Sequence, residues 1–257
     1  MAFLKENWKD YLHRIKRKEV EIAFQDFRGG HFSNGLELGC GDGYQSQFIK
    51  KYCDNLIAGD FNFDRIKKEF NDGTVAYLKC DAERLGEYFD SDSFDLIFSS
   101  SMVEHLRDRK SFLEGASKVL NKDGVLIHIV PNRVWKFLHY SLFYPNLFII
   151  AMDRIFKRQE NNESKAVNNE NNLKLRREKR SPFFDYPHGH YRGHLEEFYK
   201  FGKSQWKNLF NTNGLRVVKV LRGPFCAGYG FKLGGLRGIL EKMNISGTYI
   251  FIVRKNN

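Results

Sequence analysis

Two rhythms of apolar and polar positions run along the chain. Trp8, Leu12, Ile15, Val20, Ala23 and Phe27 recur every three or four residues, predicting a helix over the first 30 positions. Short apolar runs then predict strands: GLELGC (35–40), NLIAGD (55–60), VAYLKCD (75–81), FDLIFSSS (94–101) and VLIHIVPN (125–132). Helical patterns separate them at 44–53, 63–70 and near 110–120, and Asn121–Gly124 reads as a turn. Several strands are apolar throughout. Such strands are buried on both faces, so the pattern predicts an α/β fold with a mostly parallel sheet between helical layers.

Past Pro131 the rhythm changes. Residues 134–156 are apolar and aromatic, with Lys136, His139, Pro145 and Asp153 interspersed. The charge-free run falls short of the ~20 residues of a membrane span, predicting one or two amphipathic helices. Residues 157–181 are rich in Asn, Lys, Arg and Glu, predicting a mobile loop or lid. A helix at 203–212 leads through Asn213-Gly214 to a strand at 215–221. A Gly-rich loop connects it to a last strand at 248–254, predicting an antiparallel pair. The chain divides into an N-terminal helical segment (1–32) and a main domain (33–257) with an insertion at 134–200.

Composition narrows the class. The 257 residues are 42% hydrophobic and 28% charged, suiting one large globular domain. Cys40, Cys53, Cys80 and Cys226 lie far apart with no CxxC pair, which argues against a zinc site or a disulfide framework. A reducing, cytoplasmic setting is expected, and the charged N-terminus lacks the apolar core of a signal peptide. The net charge of +11 suits a phosphorylated partner, an anionic membrane surface or a plain basic exterior.

The chemistry-bearing segment is Glu37-Leu38-Gly39-Cys40-Gly41-Asp42-Gly43-Tyr44, where the first strand turns into a helix. Glycines there let the backbone approach a ligand, and free N–H groups face it. Tyr44 stands where a dinucleotide fingerprint requires its last glycine. The second strand ends at Asp60, suited to ribose hydroxyls, and the third runs into Asp81-Ala82-Glu83, suited to an adenine amino group. The fourth ends in Ser99-Ser100-Ser101-Met102-Val103-Glu104-His105. All lie at carboxyl ends of strands, where open α/β sheets bind ligands.

ELGCGDG, Asp60, CDAE, FDLIFSSSMVEHL and LNKDGVLIHIVPN together resemble a class I S-adenosylmethionine-dependent methyltransferase over residues 33–132. The resemblance implies a seven-stranded sheet of order 3-2-1-4-5-7-6. It implies that Gly39, Gly41 and Gly43, with Cys40 as a small filler, underlie the methionine and ribose. Asp60 would hold the ribose and Phe61 pack on adenine. Asp81, the Ala82 backbone and Glu83 would read the adenine edge, and Ser99 would lie under the methionine. Glu37 would order the loop and meet the ammonium through water.

Methyl transfer needs alignment above all, worth about 7–11 kcal/mol at best, and a hydroxyl acceptor gains about 10²–10⁴-fold from a base. His105 follows the fourth strand. The segment Pro187–His194 holds three more histidines, of which His190 and His194 are taken as base candidates, with Tyr191 and Arg192 as acceptor-binding residues. No metal is expected. The aromatic insertion is read as an active-site lid, a dimer face or a peripheral contact with the inner membrane face; monomer and homodimer both remain open. The acceptor expected is a small molecule or a nucleotide- or lipid-linked saccharide of surface polysaccharide biosynthesis. An RNA methyltransferase, with KLRREKR (174–180) gripping phosphates, and a catalytically silent partner subunit are the alternatives.

Overall fold

The computed structural model describes residues 5–27, 29–161, 186–226, 228–232 and 234–256. Five strands, β1 (Phe32–Leu38), β2 (Cys53–Asp60), β3 (Ala76–Lys79), β4 (Phe94–Ser100) and β5 (Leu120–Pro131), pair in parallel. The antiparallel pair is β6 (Leu215–Arg222) and β7 (Thr248–Lys255), with β7 also antiparallel to β5. The order is β3-β2-β1-β4-β5-β7-β6, as the resemblance implies.

Successive residues of a strand face opposite sides. Leu36, Leu38, Ile97 and Leu126 enter one core with Phe112, Leu113 and Ala116 of α3 (Arg109–Val119) and Trp206 and Phe210 of α6 (Lys203–Phe210). Leu96, Phe98, Val125 and Ile127 enter the other with Val20 and Ala23 of α1 (Trp8–Ala23) and Ile49 of α2 (Ser46–Ile49). The continuous apolar runs therefore reflect a sheet covered twice. Each such large side chain contributes about 1.5–3 kcal/mol on burial.

Caps place the helices. Asn7 accepts from the Lys9 and Asp10 N–H groups at the start of α1, and Asp108 accepts from the Ser111 N–H at the start of α3. Asn132 accepts from the Trp135 N–H at 3.0 Å, starting α4 (Arg133–Asn161). This one helix, with Pro145 inside it, spans the expected apolar insertion and reaches into the predicted loop; the rest of that loop, KLRREKR included, lies outside the described residues. Among the described residues no helix is long and apolar enough to cross a membrane.

Two expectations change. The helix predicted at 63–70 is two 3₁₀ turns, Phe63–Arg65 and Lys68–Phe70. The Lys67 N–H, which an α-helix would direct at Phe63, donates instead to the Asp42 carbonyl of the glycine loop at 3.1 Å. The connection between β6 and β7, read as a loop, contains α7 (Gly234–Lys242). Its glycines masked the periodicity.

Candidate active site

Strand order reverses between β1 and β4, and the chains leaving their carboxyl ends diverge there. A cleft of about 680 Å³ opens at this point, lined among others by Gly39, Asp60, Phe61, Asp81, Ala82, Glu83, Ser101, His105 and His190. Most of the predicted cofactor residues thus share one wall.

Their local geometry has identifiable causes. Gly39 and Gly43 have φ of 75° and 86°, which side chains rarely adopt. A Cβ would stand 2.8 Å from the Met102 side chain at Gly39 and 2.9 Å from the Tyr77 hydroxyl at Gly43. Asp60 is almost buried, and each oxygen accepts one backbone N–H, from Gly41 and from Asn62, both at 2.8 Å. Each oxygen keeps a second lone pair. Phe61 is 71% exposed although it lines the cleft, an aromatic face free for a flat ligand. Asp81 caps the 3₁₀ turn Ala82–Glu87 by accepting from the Glu83 N–H. Arg65 and Arg107, which the sequence did not single out, also line the cleft.

Glu37 lies beneath the loop, 2% exposed, and its Oε2 has no partner. Burial pushes its carboxyl up to about 7. A buried carboxyl with one unpartnered oxygen, beside Ser46 and Lys16, suits a cationic group. Burial also raises the Cys40 thiol, which is consistent with a filler rather than a nucleophile.

Ser99, Tyr191 and Arg192 stand elsewhere. Ser99 is fully buried and shares a 2.8 Å hydrogen bond with His128 Nδ1 in the α3–α6 core, because strand alternation turns it from the cleft. Ser101, past the strand at φ 53°, lines the cleft instead. Tyr191 does not line the cleft; its hydroxyl accepts from Arg109 at 2.8 Å. Arg192 is exposed, its N–H donating to Glu196. Glu83 lines the cleft, but its Oε1 accepts the Arg107 and Asp108 N–H groups and so pins that loop.

A second cavity of about 180 Å³ adjoins the first, with Ser101 and His105 in both walls. Its apolar walls are Trp8, Tyr11, Leu12 and Ile15 from α1, Trp135 from α4, and Phe201. Lys16, Glu19, Glu104, His188 and Thr248 are among its polar lining residues. Lys16 Nζ donates to Ser100 Oγ and Ser101 Oγ and pairs with Glu19 at 3.2 Å. Glu104 is 4% exposed with an unpartnered Oε2, and burial pushes it up to about 7.

The histidines separate between the cavities. Gly189 has φ 65°, and a Cβ there would stand 2.3 Å from the Glu104 carbonyl. The chain turns sharply against the 3₁₀ turn Val103–His105, sending His188 to the second cavity and His190 to the first. His105 stands at the junction; desolvation there, then the flanking His188 and Arg109, push it down to about 4. His194 opens α5 (His194–Lys200) and lines neither cavity, its ring 5.2 Å from Tyr140. Sequence reasoning passed over His188, whose only signal was its place in the histidine-rich run. Among the described residues no group of three or more His, Cys, Asp or Glu is placed to hold a metal.

Comparison with known proteins bears on this geometry. The family profile described as "Methyltransferase domain" matches residues 36–128. A ubiquinone biosynthesis O-methyltransferase of Bartonella tribocorum is 27% identical over 106 residues, covering 39% of this chain and 42% of that one. The match thus spans under half the length of that relative. Among solved structures, a putative S-adenosylmethionine-dependent methyltransferase from Listeria monocytogenes has TM-score 0.57 at 13% identity, over 96% of this chain and 100% of that one. The 1,6-didemethyltoxoflavin-N1-methyltransferase of Burkholderia thailandensis, with bound 1,6-didemethyltoxoflavin and S-adenosylhomocysteine, has TM-score 0.54 at 12% identity, over 98% and 82% of the two chains.

Proposed function

Residues 36–128 form a methyltransferase domain of the class I S-adenosylmethionine-dependent type, and from that premise we propose that the whole chain transfers a methyl group from S-adenosylmethionine to a hydroxyl of a small acceptor. The observation that carries this reading is the pair of cavities meeting at Ser101 and His105, one lined by acids at strand ends and one mainly apolar. The cofactor, when bound, supplies an electrophilic methyl on a sulfonium. Asp60 would hold its ribose hydroxyls, Phe61 its adenine face, Asp81 and the Ala82 backbone its amino edge, and Glu37 its ammonium. The chain's own work is to align the acceptor with that methyl and to exclude water from the junction.

The acceptor enters by the second cavity. Apolar walls count against a bare saccharide, whose hydroxyls would lose water without gaining partners. The phosphate-binding support for a nucleotide- or lipid-linked saccharide is also thinner than the sequence suggested. Lys136 is buried on Glu197, at 2% and 0% exposure, and Arg192 lines neither cavity. The relatives named as O-methyltransferases agree with oxygen as the methylated atom. Within α4, Trp135 faces the cavity, which favours the lid reading of that segment; Phe137, Tyr140, Tyr144 and Phe148 are exposed.

Calorimetric titration with S-adenosylhomocysteine, beside NAD, tests the assignment. Micromolar binding of the first alone is expected. Binding of NAD, or of neither, refutes it.

A further inference from the structure

Glu197 is fully buried on α5 among three bases. Its Oε2 stands 2.7 Å from Lys136 Nζ on α4 and 3.9 Å from His194 Nδ1, and its Oε1 stands 3.5 Å from His188 Nδ1. Although burial alone pushes the carboxyl up, His188 and Lys136 hold it below the usual carboxylate range. A buried ion pair costs desolvation and adds little net stability by itself. Here it has a geometric consequence: it fixes a negative charge behind one ring nitrogen of a histidine whose ring lines the second cavity. Trp135 and His139 pack edge-on against the His188 ring at 4.9 and 4.7 Å between centroids. The imidazole is therefore packed from the side with the carboxylate behind it, and it stands 6.4 Å from the ring of His105 at the junction.

Resting on the reading of the second cavity as the acceptor pocket, we propose that His188, positioned by Glu197, is the general base, and that the acceptor is a single apolar ring bearing a hydroxyl. The volume supports the ring: about 180 Å³ is close to the ~150 Å³ of a cavity that takes up benzene. The polar groups cluster with the two residues shared with the cofactor cleft, so the hydroxyl points there and the ring lies between Trp8, Tyr11 and Trp135. In the step, the acceptor oxygen forms a bond to the methyl carbon. The carbon–sulfur bond breaks with its electron pair left on sulfur. The hydroxyl proton passes to His188 Nε2, so the positive charge lost by the sulfonium reappears on the imidazolium beside Glu197. No redox change occurs. His105, pushed well below the usual histidine range, suits a neutral wall better than a base.

The groups that share this site with His188 are Lys16 and Glu19 from α1, Glu104 and His105 after β4, Lys136 and His139 from α4, and His194 and Glu197 from α5. The experiment supplies phenol, benzoate and aniline, one ring with three acceptor atoms, together with S-adenosylmethionine. Mass spectrometry follows the methylated product and S-adenosylhomocysteine from pH 5.5 to 9. Phenol alone is expected to turn over. His188→Ala, and His188→Gln as the less disruptive variant, lower kcat by about 10²-fold or more, with S-adenosylhomocysteine affinity and melting temperature held. Glu197→Gln lowers kcat and changes KM little, because the negative charge that balances the positive ring formed in the step is gone. Full phenol turnover in both His188 variants, unchanged kcat in a folded Glu197→Gln protein, or preference for benzoate or aniline overturns the proposal. So does absence of phenol turnover in a protein that binds S-adenosylhomocysteine. A wild type that does not bind that ligand overturns the methyltransferase reading itself.

Discussion

Removing the Asp60 carboxylate separates a ligand-binding role from a purely structural one. Two backbone donors, Gly41 N and Asn62 N, end on its oxygens at 2.8 Å, each oxygen keeps a second lone pair, and the residue lines the cleft. In Asp60→Ala the ribose hydroxyls lose charged acceptors worth about 1.5–3 kcal/mol each, with water recovering part. A net loss of about 1.5–3 kcal/mol corresponds to roughly 10–150-fold weaker binding of S-adenosylhomocysteine. The two loop donors also lose partners, so the apo protein should melt earlier as well. Asp60→Asn discriminates: it can keep one accepting oxygen and should lie between wild type and Ala in affinity. Calorimetry at constant salt, with thermal melts of each variant, reads both effects. Affinity within twofold of wild type in a folded Asp60→Ala protein refutes the ribose role and with it the placement of the cofactor in this cleft.

Three further outcomes follow from the geometry. Phe61→Ala should leave the melting temperature nearly unchanged, since the ring is 71% exposed, yet weaken S-adenosylhomocysteine by about 0.5–1.5 kcal/mol in calorimetry. Ser99→Ala should do the reverse, costing about 1 kcal/mol in denaturant unfolding through its lost His128 partner and leaving cofactor affinity intact. Glu104 has a folded-state carboxyl raised to about 7 from 4.5, so the folded protein binds its proton more tightly than the unfolded chain. Its contribution to stability is present below about pH 4.5 and is lost as pH rises through about 7. Glu104→Gln should therefore flatten the fall in melting temperature between pH 5 and 8, and an unchanged slope would show that Glu104 does not carry the shift.

Much of the fold was legible because it is written in local patterns. Apolar runs such as residues 96–98 and 125–127 are buried on both faces, so their lack of alternation pointed to a parallel sheet. The glycines at 39, 41 and 43 and the acids at 60 and 81 occupy strand ends. Strand ends follow from run length alone, and an open sheet gathers them at one edge. The helix expected at 63–70 failed for a tertiary reason, since a donor it needed goes to the glycine loop across the cleft. The Ser99 side chain stands in the core because a strand residue faces one side only, and periodicity does not say which side.

Local pattern, then, decided the succession of strands and helices and which residues end the strands, because period, run length and turn chemistry act over a few residues, while the strand order came from the family resemblance. The second cavity was decided by contacts between segments distant in the chain. Trp8 and Trp135 meet across one cavity, and His188 reaches it beside His105, 83 positions earlier in the numbering. Lys136 reads as a surface charge within an aromatic helix, yet it is buried because Glu197, on another helix, accepts it. Which ionisable residues become buried, paired or placed in a pocket wall depends on what packs against them, and that information is absent from any local stretch of residues.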